Sequence, residues 1–156
     1  MNGSVAPRAQ TTRRVAEILL VEDNPGDELL TRLALEEAGV LHRLQVARDG
    51  VQALELLHRG DYRPDLVLLD LNLPRKDGRA VLAALKADDA LRSIPVTVLT
   101  SSPSDRDVDD CYRLYASGYL VKPETLAPLV DAFRALDRYW FGAVRLPSRP
   151  PAAGPA

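Results

Sequence analysis

A chain of 156 residues with 46% apolar and 27% charged residues suits one globular domain built around one core. The net charge of −2 leaves no overall basic field to attract nucleic acid, and no apolar run approaches the ~20 residues needed to span a membrane. Cys111 is the single cysteine, which excludes an internal disulfide and suits a reducing cytoplasm.

Residues 1–15 mix Gly, Ser, Pro, Thr and Arg without periodicity and read as a flexible arm. Arg8, Arg13 and Arg14 are followed by no apolar h-region, so the segment does not read as a secretion signal. The first short apolar run is Ile18–Val21. Asn24-Pro25 then offers a helix cap with proline at the first helical position; Leu30, Leu33 and Ala34 share a face, and Gly39 closes the helix. Leu44–Ala47 is a weaker strand candidate. Ala53, Leu54 and Leu57 mark a second helix, ended by Gly60. Leu66–Leu69 is the next apolar run, and Val81, Leu82 and Leu85 mark a third helix. Val96–Leu99 follows, then a polar fourth helix over Ser104–Leu114, expected to be the most mobile. Tyr119–Val121 is the last run, and Leu126, Leu129, Val130, Phe133 and Trp140 form the stripe of a long fifth helix. Pro147–Ala156 holds four prolines in ten residues and should be loose.

Strand and helix thus alternate five times over residues 16–140, with an extension over 141–156. The runs are rich in Val, Leu and Ile and bounded by turn residues, as strands buried on both faces are. The alternation predicts an α/β fold: a doubly wound five-stranded parallel sheet with helices on both faces.

In such a sheet, ligands bind beyond the carboxyl ends of the strands. There the chain carries Glu22 and Asp23 after the first run, Asp70 after the third, Thr100 with Ser101 and Ser102 at the fourth, and Lys122 with Pro123 after the fifth. Three carboxylates packed together repel one another. A hard divalent cation such as Mg²⁺ resolves the conflict, since it takes octahedral oxygen ligands and usually one or two protein carboxylates plus phosphate oxygens. Lys122 adds a compact positive charge. A phosphoryl group held between metal and lysine needs little beyond positioning and electrostatic stabilisation, and a carboxylate is a competent acceptor. His42 and His58 are not at metal-ligand spacing, and Cys111 has no visible base.

The stretches ILLVEDNPGDELL (18–30), ARDG (47–50), DLVLLDLNLPRKDG (65–78), VTVLTSS (96–102) and GYLVKP (118–123) resemble, in order and spacing, the receiver domains of bacterial two-component systems. The resemblance implies a flavodoxin-like strand order 2-1-3-4-5. It implies Asp70 as phosphoacceptor and Mg²⁺ held by Glu22 (through water), Asp23, Asp70 and the backbone carbonyl of Asn72. It further implies Thr100 and Lys122 on the phosphoryl oxygens, Thr100 and Tyr119 as the switch, and a cis bond before Pro123. The acidic pair is Glu-Asp where many receivers have Asp-Asp. The NPGDELL helix start, DLNLPRKDG and the ending ALDRYWFGAVRLP (135–147) are similar to regulators that partner phytochrome-type histidine kinases, which implies such a kinase as partner.

An aspartyl-phosphate phosphatase is the rival reading. It needs a second acid two residues past the nucleophile, and Asn72 cannot move a proton at neutral pH. A flavodoxin-like cofactor carrier needs a phosphate loop where this chain has Glu22 and Asp23. The 16 residues after the fifth helix are too few for a helix-turn-helix, so no direct DNA contact is expected. Seven of the eight aromatics lie at or after residue 112. That concentration predicts a homodimer through the fourth-helix to fifth-helix face, with Tyr139, Trp140, Phe141, Val144 and Leu146 as partner residues and the Phe141–Leu146 arm reaching across.

Overall fold

The computed structural model describes residues 14–148. The elements run β1 (Ala16–Val21), α1 (Pro25–Glu37), β2 (His42–Ala47), α2 (Gly50–His58), β3 (Leu66–Leu69), α3 (Gly78–Ala87), β4 (Val96–Thr100), α4 (Asp105–Arg113), β5 (Gly118–Val121) and α5 (Leu126–Arg138), followed by a π-helical turn, Tyr139–Ala143. The expected arm over residues 1–15 lies outside the described residues up to residue 13, as does the tail from residue 149. Arg14 is described and forms an ion pair with Asp65.

All strand pairings are parallel and the order is β2-β1-β3-β4-β5, as expected. Successive side chains of β1 feed opposite faces, the period of two that a pleated strand imposes. Leu19 and Val21 join Val67, Leu69, Leu54, Leu82 and Cys111 under α2, α3 and α4. Ile18 and Leu20 join Leu66, Leu68, Leu35, Leu129 and Phe133 under α1 and α5. β3 and β4 are buried at every position, and β4 buries Thr97 and Thr100 along with its apolar residues. β2 sits at the sheet edge and alternates exposed with half-buried residues, which is why its apolar signal is weak and its first two residues were not anticipated.

The helix starts follow from their caps. Asn24 Oδ1 accepts from Asp27 N (3.0 Å) with Pro25 in the first turn, Asp49 Oδ1 accepts from Gln52 N (2.7 Å), and Ser104 Oγ accepts from Asp107 N (3.4 Å). Gly39 ends α1 at φ +74°, a conformation that favours glycine. In α4 only Cys111 is buried, and burial pushes its thiol pKa up.

The fifth helix is shorter than its stripe suggested. The α-helical pattern stops at Arg138, and the next turn widens so that Val144 N bonds to Tyr139 O (3.0 Å). The consecutive rings of Trp140 and Phe141 both pack against the core under α1 and α5 across this turn. Among the described residues, no helix is long and apolar enough to cross a membrane.

Candidate functional site

The sheet's ladder continues past the strand ends and fixes the residues that follow. Glu22 N bonds to Ala47 O (3.0 Å), Asp70 N to Val21 O (3.1 Å) and Lys122 N to Thr100 O (2.8 Å). Glu22, Asp70 and Thr100 are buried (2%, 6% and 0% exposed) because these bonds hold them against the sheltered carboxyl edge of the sheet. Asp23 is exposed. Glu22, Asp23 and Asp70 each offer a carboxylate oxygen, and these atoms lie within 4.8 Å of one another.

Lys122 ties the cluster together. Its Nζ donates to Glu22 Oε2 (2.9 Å), Asp70 Oδ2 (3.0 Å) and Asp27 Oδ2 (3.1 Å). Asn72 N donates to Asp70 Oδ1 (3.3 Å). Burial first, and the adjoining Asp70 carboxylate second, push the Glu22 carboxyl up to about 8 against the pull of Lys122. Burial also acts to raise Asp70, but Glu22 and Lys122 outweigh it and hold that carboxyl below the ordinary aspartate value. Burial opposes the charge on Lys122, yet the two carboxylates hold its pKa above the usual lysine value.

Two buried atoms in this cluster, Glu22 Oε1 and Thr100 Oγ1, have no hydrogen-bond partner among the described residues. An unmade bond at a buried polar atom costs about 1–3 kcal/mol. A hydrated divalent cation would satisfy the first and a phosphoryl oxygen the second, so the residues present fit both groups. Glu22, Asp23 and Asp70 are the side chains that would hold Mg²⁺.

Tyr119 packs against the core under α2, α3 and α4, and its hydroxyl donates to Ser102 O (2.8 Å). Ser102 Oγ in turn donates to Asp107 Oδ2 (2.5 Å), and Asp107 pairs with Arg79 at the start of α3. A chain of contacts thus links Tyr119 through the β4–α4 loop to α3. Arg79, Asp107 and Asp27 were not singled out from sequence. For Asp27 a signal existed: the Asn24 cap places it three residues into α1, where an acid faces the cap. Arg79 and Asp107 carried none.

The bond before Pro123 departs from expectation: it is trans. Trans is favoured for a proline peptide by about 0.5–1 kcal/mol. Of the residues expected at a partner face, Tyr139 is exposed (53%) and stacks edge-on against Trp140, with ring centroids 4.9 Å apart. Phe141 packs on the chain's own core, and Leu146 lies in a cleft lined by Arg63, Pro64, Asp65, Ile94 and Pro95. Val144 is half-buried. The arm therefore rests at the amino ends of β3 and β4, remote from Asp70.

A doubly wound sheet whose carboxyl edge gathers a metal-binding acid cluster, a buried hydroxyl and a lysine defines the class of metal-dependent carboxylate centres on flavodoxin-like folds. Residues 18–134 match the response regulator receiver domain, and the chain belongs to that family. It is 42% identical over 136 residues to the response regulator Rcp1 of Synechocystis sp., covering 84% of this chain and 92% of Rcp1. Among solved structures it is similar to the phosphorylated cyanobacterial phytochrome response regulator RcpA, with a TM-score of 0.80 and 39% identity over 86% of this chain and all of that one. It is also similar to the Mn²⁺-bound form of Rcp1, with a TM-score of 0.77 and 40% identity over 85% of this chain and 99% of that one. The resemblance to phytochrome response regulators read from the sequence is borne out by these relatives.

Proposed function

We propose that this receiver accepts a phosphoryl group from a histidine kinase on Asp70 and signals through phosphorylation-dependent contacts with other proteins. The observation that carries the reading is the pair of unpartnered buried atoms, Glu22 Oε1 and Thr100 Oγ1, beside an Asp70 carboxylate paired with Lys122. Bound Mg²⁺ would supply positive charge that neutralises the phosphoryl oxygens. Glu22 (through water), Asp23 and Asp70 would hold that ion, with the Asn72 backbone carbonyl as a further oxygen donor. Lys122 orients and neutralises the phosphoryl group, and Thr100 donates to it. Movement of the Thr100 hydroxyl toward the phosphoryl group is passed to Tyr119, the second half of the switch.

Asp70 acts as acceptor and not as the nucleophile of a phosphatase, because Asn72 offers no proton for turnover. The phytochrome response regulators among its relatives support a phytochrome-type kinase as donor. The exposed Tyr112, Tyr115 and Tyr139 support a homodimer as the working form, and the single cysteine supports the cytoplasm as its setting. Incubation with a small phosphodonor and Mg²⁺, followed by intact mass, tests the reading. The protein should gain one phosphate and hold it, and Asp70→Asn should gain none. Full labelling of that variant, or continuous turnover by the native chain, overturns it.

A further inference from the structure

The Lys122 ammonium has three N–H donors and three carboxylate partners. Two of the three, Glu22 and Asp70, also belong to the set that can ligate a metal, and Asp27 does not. The overlap creates a conflict. A divalent cation on Glu22 and Asp70 draws on the same negative charge that now holds the ammonium, and two cations so close repel strongly in a partly buried site. For the metal to enter, Lys122 must loosen its hold on those oxygens without leaving its own charge unpaired.

Asp27 stands where that requirement is met. Its side chain is 42% exposed, against 2% for Glu22 and 8% for Asp70, so it forms the open rim of the cluster. Its position is fixed by the N-cap, with its backbone N–H on Asn24 Oδ1. Lys122 carries its charge on a flexible four-carbon stem, which can lean toward the rim while staying beside Asp70.

We propose that Asp27 is a positioning residue: it holds the Lys122 ammonium while a divalent cation occupies Glu22, Asp23 and Asp70. The proposal rests on reading this cluster as a metal-dependent phosphoacceptor site. Asp27 thereby favours metal entry without being a ligand, and it keeps Lys122 poised over the Asp70 carboxylate. The plainer role of an acid in the first turn of a helix is to complement the helix dipole. That role affects the stability of α1 and has no reason to depend on Lys122.

A double-mutant cycle on Mg²⁺ affinity separates the two. Calorimetric titration of the full chain with MgCl₂ would compare the native protein, Asp27→Asn, Lys122→Ala and the double variant. Asp27→Asn should weaken Mg²⁺ binding about 3- to 10-fold when Lys122 is present, and by less than about twofold when it is absent, the non-additivity expected of residues in direct contact. An equal loss in both backgrounds means general charge attraction and overturns the proposal, as does no loss in either. Asp27→Ser, which keeps a short polar side chain in the first turn, repeats the cycle should Asn disturb the cap. If the native chain itself fails to bind Mg²⁺, the parent reading of the site fails instead, a result distinct from either cycle outcome.

Discussion

The backbone of Gly78 lies so close to Asp70 that a Cβ built on it would stand 2.2 Å from the Asp70 carbonyl oxygen and 2.6 Å from Leu71 Cα. Both neighbours are backbone atoms and cannot rotate away. The same segment is pinned by the bond from Gly78 N to Leu71 O (3.0 Å). The start of α3 is therefore packed directly on the end of β3, where the Asp70 carboxylate emerges. Gly78→Ala should destabilise the fold by about 1–3 kcal/mol, the usual cost of overpacking. It should also weaken Mg²⁺ binding, because Asp70 must shift with its carbonyl. Urea unfolding and metal titration check the two effects, and a variant of native stability would show that the loop yields more easily than its geometry implies.

Proton and metal compete for Glu22. Its carboxyl ordinarily titrates at 4.5 and is pushed up to about 8 here, so the folded protein binds this proton more tightly than the unfolded chain. Stability should then fall as pH rises from about 4.5 through 8, since unfolding releases the proton in that window. Metal binding needs the ionised form, so Mg²⁺ affinity should rise over the same range, approaching tenfold per pH unit below the Glu22 pKa. Glu22→Gln should flatten both profiles. Urea midpoints and calorimetry across pH 5–8.5 provide the measurement, and a native Mg²⁺ affinity independent of pH would contradict the assignment.

Thr100 makes an opposite pair of predictions. Its hydroxyl is fully buried with no partner among the described residues, so replacing it by a methyl group of the same shape removes a desolvation penalty. Thr100→Val should be neutral or should stabilise the protein by about 1 kcal/mol. The same variant should lose the response of Tyr119 to phosphorylation. The readout is the NMR signal of Tyr119 and of the loop held by the Tyr119 hydroxyl on Ser102 O. If Thr100→Val is strongly destabilising, the hydroxyl has a structural partner and the switch assignment loses its basis.

The fold was legible because β1, β3 and β4 are built on mostly apolar runs bounded by turn residues, and their burial leaves little room for another pattern. The sheet edges were less clear. β2 needs apolar residues on one side only, and the turn after Arg138 is π-helical, which heptad-like spacing cannot register. Glu22, Asp70, Thr100 and Lys122 were legible as positions just beyond strands, where a doubly wound sheet concentrates its chemistry. Asp27 was visible only as an acid three residues past the Asn24 cap; it lies inside α1 and not just beyond a strand, so nothing local tied it to Lys122, 95 residues away. Nor was the Arg79–Asp107–Ser102 connection, which depends on how α3 and α4 pack, and no local spacing encodes it.

Tyr119 aside, the aromatic residues of the carboxyl-terminal third divide into two groups, and the division bears on dimerisation. Phe133 is buried, and Trp140 and Phe141 pack on the chain's own core. These rings pad α5, as structural packing alone would require. Tyr112 (49%), Tyr115 (75%) and Tyr139 (53%) remain exposed, together with Val121 (47%) on β5, the edge strand of the sheet. Exposed aromatics are the composition that interface centres favour, and an edge strand leaves backbone groups free to pair. The arm over Phe141–Leu146 rests on its own chain, so reaching a partner would mean exchanging seats with the partner's identical arm. In sedimentation at micromolar concentration, a chain ending at Tyr139 should therefore shift toward monomer relative to the full chain. Tyr115→Asp in the full chain should do the same while leaving the packing of Phe141 intact, which separates loss of the interface from loss of core contacts. Thermal unfolding of each variant monitors the fold. If the truncated chain is monomeric but Tyr115→Asp still dimerises, the arm alone makes the contact. If all three sediment alike, neither the arm nor the exposed tyrosine face is a dimer element.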